Sequence, residues 1–413
     1  MYCNEYNTNK AWCLSCDPEI TIQGWTSGNK DADYCIKDYQ LKTLAYEEMI
    51  EWIPFDKLMI FKSIGKGGFS SVFSAIWADG IRKIDAGSIQ QIDSGYDNYL
   101  KVREPSSIVA LKSLSNSKEN PLDFLKEFKN HMECMMKGIK LKIYGLTQNT
   151  ETNEYFMVFQ YANNGSLHSF LSTKFQDLTW QIKLKILKDI LLDLRDIHEA
   201  GYIHADLHSG NVLLDHRMSK SMQSYISDLG LSKMRNENVS DGIYGVMPYV
   251  APEVLKGQKF TQASDIYSFG VIMSEISTGQ RPFDGESFDL DLMVKICNGL
   301  QPVFASGTPE CYIELAKQCM NLDPQKRPNV SNIWVKLVKW NVSMKGSDEK
   351  ADEIKKQFLD ANKIVKNLPI ITPKHSGSIY TSKLINTSKI SSAFKALDSL
   401  DSTRVNFYIP DNF

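Results

Sequence analysis

Asp206 and Asn211 lie in the string His204-Ala205-Asp206-Leu207-His208-Ser209-Gly210-Asn211, and Asp228 opens Asp228-Leu229-Gly230 shortly afterwards. Asn211 and Asp228 offer hard oxygen donors, which suit Mg2+ or Mn2+. His204 and His208 invite a transition-metal reading, but the accompanying Asp and Asn already account for a magnesium site, so His204 reads as a packed structural histidine. Upstream, Ile64-Gly65-Lys66-Gly67-Gly68-Phe69-Ser70-Ser71-Val72 is rich in glycine. Gly65, Gly67 and Gly68 lack side chains, which lets the backbone amides of a hairpin close over phosphates. Taken alone, such a turn fits a plain hairpin equally well. Val109-Ala110-Leu111-Lys112 follows it, and Ala251-Pro252-Glu253 follows Asp228.

These strings occur in an order that chance does not readily produce, and together they resemble the motifs of the eukaryotic protein-kinase family. The chain looks closest to the tyrosine-kinase-like branch. In particular it resembles a large group of fungal kinases in which a short Trp-Cys-x-x-Cys segment, here Trp12-Cys13-Leu14-Ser15-Cys16, precedes the catalytic domain. The resemblance covers roughly residues 55 to 340. It implies an α+β, two-lobed protein-kinase fold: an antiparallel β N-lobe with one helix and a mainly α C-lobe, with a small Cys-containing N-terminal extension. The domains expected are 1–54 for the extension and lead-in helix, 55–340 for the kinase domain and 341–413 for a C-terminal tail.

The resemblance also assigns roles. Asp206 accepts or orients the proton of the substrate hydroxyl, Asn211 and Asp228 hold Mg2+ or Mn2+, and Lys112 pairs with the α and β phosphates of ATP. ATP contacts fall on Ile64, Gly65, Lys66, Gly67, Gly68, Phe69, Ser70, Ser71 and Val72. Adenine is expected between Val72 and Ala110 on one side and Leu213 on the other, with Phe159 at the gate of the back pocket and Gln160 to Ala162 as the hinge. Val72 and Leu213 would serve as ordinary core equally well. Lys112 needs a carboxylate from the following helix. Phe124, Phe128, His131 and Met135 form one stripe at 100° per residue; Glu127 lies at its edge, whereas Glu133 projects away between Lys129 and Lys137. Glu127 is therefore preferred over Glu133, and Glu119 precedes the helix. Glu253 and Arg327 match the family's buried ion pair, and Asp265 matches the aspartate that braces the catalytic loop.

Several positions depart from the family pattern. Ser70 replaces the third glycine, with Gly68 beside it to supply flexibility. Ala205 stands where many kinases have arginine, so phosphorylation of the activation segment, whose hydroxyls are Ser232, Ser240 and Tyr244, is expected to matter less. His208 and Val246 occupy positions where serine/threonine kinases generally carry lysine and threonine. The expected activity is transfer of the γ-phosphoryl group of ATP to a protein hydroxyl, read as serine/threonine, in intracellular signalling. Tyrosine or dual specificity and a nucleotide-binding pseudokinase scaffold are the alternatives. A small-molecule kinase fits less well, because residues 244–253 resemble a polypeptide-docking strip.

Composition sets outer limits. The chain has 413 residues, a formal charge of -2 and 42% hydrophobic residues, so no global basic field marks it for nucleic acid. No apolar run reaches the roughly 18 residues of a membrane span, and the opening residues lack a signal-peptide pattern; a cytoplasmic location without membrane contact is expected. The partners expected are ATP and a protein substrate, with the oligomeric state open. Of eight cysteines, Cys3, Cys13, Cys16 and Cys35 fall early. Four ligands would suffice for zinc, but only one Cys-x-x-Cys pair exists, so a metal-free knuckle is preferred over a structural Zn2+.

Periodicity supplies the elements that must position these groups. Tyr34, Leu41, Ala45 and Trp52 predict a helix stopped by Pro54. The polar stretch between Trp77 and Val109 reads as an exposed insertion. Ile182, Ile186, Ile190, Leu194 and Ile197 predict a helix leading into the catalytic loop, and Ile266, Phe269, Met273 and Ile276 another that ends at Gly279. Ile354, Phe358, Ala361 and Val365 mark an amphipathic helix in the tail, and the Ser-, Thr- and Lys-rich remainder reads as flexible.

Overall fold

The computed structural model describes residues 10–66, 70–86, 99–114, 117, 121–216, 222–234, 242–345, 352–365, 374 and 377–386. The chain divides into two compact units, Met1–Asn163 and Asn164–Phe413. The first is built on a six-stranded sheet in the order Glu51–Trp52, Ile143–Gln148, Tyr155–Gln160, Ser107–Leu114, Ser70–Trp77, Leu58–Lys66. All neighbours are antiparallel except Glu51–Trp52 and Ile143–Gln148, which run parallel. The two-residue period of the strands sorts their side chains. Ala75, Trp77, Val109 and Leu111 go to one face, where with Ile53, Leu58, Tyr144, Phe156 and Val158 they form an apolar core. Val72, Ala110 and Lys112 are left on the other.

That second face is bordered by the helix Pro121–Met135, which buries Phe124, Leu125, Phe128, His131 and Met132. Burial pushes the His131 pKa down to about 4, and its Nε2 meets the Leu141 carbonyl at 2.9 Å, so the ring serves as neutral packing. The N-terminal extension backs this helix: Tyr39 stands edge-on to Phe128 at 6.0 Å, and its hydroxyl donates to the Lys129 carbonyl at 3.3 Å.

The extension differs from its sequence reading. Its helix spans Lys30–Leu41 and stops before Ala45 and Trp52, with Trp52 in a strand. Tyr34 and Leu41 are 72% and 51% exposed, whereas Ala32, Cys35, Ile36, Tyr39 and Gln40 are buried. Gln40 turns inward because its side-chain amide donates to the Ile50 carbonyl at 2.9 Å, a partner that only the folded chain supplies. The insertion contributes two described strands. Ile81–Ala86 and Tyr99–Glu104 form an antiparallel hairpin, and Arg82 and Arg103 both reach Glu51. Lys101 bonds Asp17 at 2.6 Å and lies over the rings of Trp12 and Tyr46. Ile84 packs against Trp12, Tyr46 and Met49, so hairpin and extension share a small core.

The second unit is helical. Trp180–Glu199 begins on Thr179, whose side chain caps the Ile182 amide, and buries Ile186, Ile190, Leu194 and Ile197; Gln262–Thr278 begins with a Thr261/Ser264 capping box and ends at Gly279, at φ 75°. The tail helix Asp352–Val365 buries Phe358 against Trp180 and Trp340. Among the described residues that follow, Gly377–Tyr380 forms a 3-10 turn, and Lys383–Ile385 pairs as a strand with Ile243–Gly245. Among the described residues, no helix is long and apolar enough to cross a membrane.

Lys183 is fully buried, with its Nζ 4.1 Å from the ring centre of Phe175 and 4.9 Å from that of Trp180. Burial pushes its pKa down to about 7. An unfolded lysine keeps its proton to about pH 10.4, so between these values the unfolded state binds more protons and stability rises with pH. Lys183→Met is therefore expected to raise the urea midpoint most at pH 6, with the advantage over wild type shrinking toward pH 10. A difference that stays constant with pH would contradict this assignment.

Candidate active site

In the first unit, the register sets Val72 opposite Lys112 and Ala110 opposite Phe159. Directly opposed residues share a face, so Val72, Lys112 and Ala110 lie together, away from the apolar core. Lys112 Nζ meets Glu127 Oε1 at 2.5 Å, and the two side chains are 8% and 4% exposed. Glu127 therefore points inward, while Glu133 is only half-buried. Gly65 pairs with Val72 and Lys66 with Ser71, while Ser70 is buried on its strand; Ile64 is on the surface and Ala162 is buried. Gln160 ends its strand, and its amide donates to the Lys142 carbonyl at 2.9 Å. Gly67, Gly68, Phe69 and Glu119 lie outside the described residues.

In the second unit, the hairpin Val212–Asp215 with Gln223–Ile226 pairs Val212 with Ile226 and Leu213 with Tyr225. Extending the register by one step brings Asn211 beside Ser227, whose amide and hydroxyl donate to the Asn211 carbonyl at 2.8 and 3.0 Å. Asp228 comes next, at φ 65°, and its Oδ1 accepts from the Gly230 amide at 3.3 Å. Asn211 Nδ2 donates to the Asp206 carbonyl at 3.0 Å and lies 3.5 Å from its Oδ2. With the amide nitrogen committed there, the oxygen acceptor of the Asn211 side chain is Oδ1. The donor set of amide and carboxylate oxygens fits Mg2+ or Mn2+.

The loop holding Asp206 is fixed from both sides. Asp265, buried on the helix Gln262–Thr278, accepts from the His204 amide at 2.9 Å, the Ala205 amide at 3.0 Å and His198 Nε2 at 2.8 Å. His204 is buried, and its Nδ1 accepts from the Asp206 amide at 3.2 Å while Nε2 meets the Ser227 carbonyl at 3.1 Å. Donation from Nε2 to that carbonyl fixes the tautomer, and both ring nitrogens are occupied structurally. His208 Nδ1 accepts from the Gly210 amide at 3.0 Å, and Nε2 lies 3.7 Å from Asp206 Oδ2.

The segment expected from the sequence to dock a polypeptide, residues 244–253, is equally constrained. Tyr249 donates to Glu275 at 2.5 Å, its hydroxyl lies 3.2 Å from that of Ser209, and its carbonyl accepts from Ser268 at 2.7 Å. Burial comes first among the causes that raise the Tyr249 pKa, followed by Glu275. Glu253 and Arg327 form a two-pronged pair at 2.7 and 2.7 Å, and Arg327 also donates to the carbonyls of Asn321 and Ala263. Among the segment's hydroxyls, Ser232 is buried and Ser240 lies outside the described residues. Sequence reasoning missed one group here. Ser382, in the tail, donates to Asp206 Oδ2 at 2.5 Å, and nothing in its neighbourhood in the sequence signals this.

Among the described residues, no three His, Cys, Asp or Glu side chains are grouped to hold an ion. Burial pushes the Cys35 thiol up to about 11, and Cys3 lies outside the described residues.

The family model described as protein tyrosine and serine/threonine kinase matches residues 58–337, and the chain belongs to this family. Among curated proteins it is similar to the probable serine/threonine-protein kinase roco8 of Dictyostelium discoideum, 32% identical over 232 residues, which cover 54% of this chain and 12% of that protein. It is also similar to the probable serine/threonine-protein kinase pats1 of the same organism, 28% identical over 295 residues, which cover 70% of this chain and 8% of that protein. The chain thus matches only a small part of the length of these relatives.

Because Glu253 and Arg327 are buried together, removing one partner strands the other charge. Arg327→Met is expected to lower unfolding stability by roughly 3–5 kcal/mol, and Glu253→Met combined with Arg327→Met to recover most of that loss. Urea titrations of both variants test this. A single variant as stable as wild type would show that the pair does not hold the segment.

Proposed function

We propose that this chain is an active ATP-dependent protein kinase of the tyrosine-kinase-like branch, transferring the γ-phosphoryl group to serine or threonine of a cytoplasmic protein in intracellular signalling. One observation carries the reading: every side chain that phosphoryl transfer requires is present, with Lys112 paired to Glu127 and with Asn211 bonded to Asp206. Phosphoryl transfer needs positioning and charge compensation more than covalent work from the protein. Lys112 holds the α and β phosphates, and Glu127 keeps its ammonium in place. Asn211 Oδ1 and the Asp228 carboxylate hold Mg2+, which when bound offsets the charge of the phosphate oxygens. Asp206 orients the attacking hydroxyl and takes its proton. Val72, Ala110 and Leu213 supply apolar surface for the adenine, and the amides of residues 64–72 cover the phosphates.

Serine/threonine transfer is supported by the names of the relatives and by the seryl hydroxyl that Asp206 accepts. Ser70, Ala205 and His208 favour the second reading, a pseudokinase scaffold. These positions bear on loop closure, regulation and specificity, whereas the phosphate- and metal-binding groups are retained, so the enzyme reading is preferred. With Mg-ATP and a generic basic protein, wild type is expected to incorporate label as phosphoserine or phosphothreonine. Asp228→Asn and Lys112→Met are each expected to reduce incorporation by at least about a hundredfold. No incorporation by wild type, or undiminished incorporation by Asp228→Asn, would defeat this reading; phosphotyrosine as the sole product would defeat its specificity.

A further inference from the structure

The tail strand Lys383–Ile385 runs antiparallel to Ile243–Gly245 in the docking strip, with Lys383 opposite Gly245, Leu384 opposite Tyr244 and Ile385 opposite Ile243. Among the described residues the two form a two-stranded ribbon of their own, and main-chain pairing of an extended segment is a common mode of peptide recognition. The pairing leads the preceding residue, Ser382, to the catalytic loop, where its Oγ donates to Asp206 Oδ2 at 2.5 Å.

Three further attachments hold the tail to this unit. Tyr380 is buried, donates to the Pro282 carbonyl at 3.0 Å, stands edge-on to Phe288 at 4.9 Å and lies under the Arg281 guanidinium at 4.5 Å. The Lys374 amide donates to Asp284 at 2.9 Å. Farther back, Phe358 is fully buried between Trp180 and Trp340. A hydroxyl tethered in this way has a high effective concentration at Asp206, far above that of a hydroxyl on another molecule.

We propose that Ser382 is a phosphorylation site of this chain, modified by the chain's own active site in an intramolecular reaction. The inference rests on the role proposed above for Asp206. Ser382 Oγ attacks the γ-phosphorus of ATP, forming an O–P bond as the bond from that phosphorus to the β,γ-bridging oxygen breaks. The electron pair of that bond departs with ADP, and the hydroxyl proton passes to Asp206. A segment that merely blocked the site would need no hydroxyl at this position. The product places about two negative charges beside the Asp206 carboxylate, and that repulsion weakens a three-residue strand pairing. Modification therefore releases the docking strip for other polypeptides.

The test uses the full chain, dephosphorylated and freed of phosphatase, with Mg-ATP and mass-spectrometric mapping at chain concentrations spanning about a hundredfold range. Phosphate is expected on Ser382, with a first-order rate constant independent of concentration. Tyr380→Ala, which loosens the tail outside the catalytic groups, is expected to slow that modification about tenfold or more. Transfer to an added generic basic protein is expected to persist in Tyr380→Ala and to be slower in Ser382→Ala, whose tail strand no phosphate can release. Unmodified Ser382 in a chain that phosphorylates the added protein, phosphate on Thr381 instead, or a rate proportional to concentration would overturn the inference and leave the kinase reading standing. Transfer to neither Ser382 nor the added protein would remove both.

Discussion

The buried carboxylate of Asp265 is the constraint on which the catalytic loop depends. It accepts hydrogen bonds from two consecutive backbone amides, those of His204 and Ala205, and from the His198 ring. To present both amides to one carboxylate, the chain turns through a left-handed conformation at Ala205, φ 65°, which a residue with a Cβ adopts at a cost of roughly 1–2 kcal/mol. Hydrogen bonds to a charged acceptor contribute about 1.5–3 kcal/mol each, so three outweigh the strain. The turn sets the direction of Asp206, and Asn211 then connects that residue to Ser227 and the start of the Asp228 turn. A rigid helix thus fixes Asp206, the residue proposed as the base, and the Asp206 carbonyl in turn fixes the side-chain amide of Asn211, proposed to hold the metal.

The docking strip is held by the same helix at other points. Ser268 and Glu275 both engage Tyr249, one through its carbonyl and the other through its hydroxyl, and Arg327 donates to the Ala263 carbonyl while clamping Glu253. The buried ion pair is costly to desolvate and is better understood as fixing one arrangement than as a source of net stability. Asp265, Ser268 and Glu275 lie on one helix, so the loop that carries Asp206 and the segment around Tyr249 share one frame. This common support matters because positioning errors of an ångström cost large factors in rate.

What could be read from the sequence was what short strings determine. The Asp206, Asn211 and Asp228 strings are local, and the edge position of Glu127 follows from helical geometry once Phe124, Phe128 and His131 define the inward side. The lead-in helix was misjudged because its apolar residues occupy both faces. Tyr34 and Leu41 are outward, and the inward Gln40 is polar, its burial allowed by the Ile50 carbonyl. The strand pair Ile81–Ala86 and Tyr99–Glu104 hid in a polar stretch because its partners are charges and rings elsewhere: Glu51, Asp17, Trp12 and Tyr46. Ser382 was invisible for the same reason. Its meaning lies in a strand register with residues about 140 positions earlier, and no periodicity within a Ser-, Thr- and Lys-rich tail encodes that pairing.

Control of this chain follows from the same geometry. An arginine at position 205 would give a phosphorylated activation segment a cationic anchor; here the site is a buried alanine whose amide is already engaged by Asp265. Ser232, the nearest described serine of the segment, is buried and bonded to the His204 carbonyl at 3.5 Å, so a kinase acting from outside would first have to unfold it. The tail pairs with Ile243–Gly245 and sets a seryl hydroxyl on Asp206. On the inference drawn for Ser382, the phosphate that switches this chain acts by repulsion at the base rather than by attraction to an arginine pocket. Loss of the arginine then removes nothing that the tail requires.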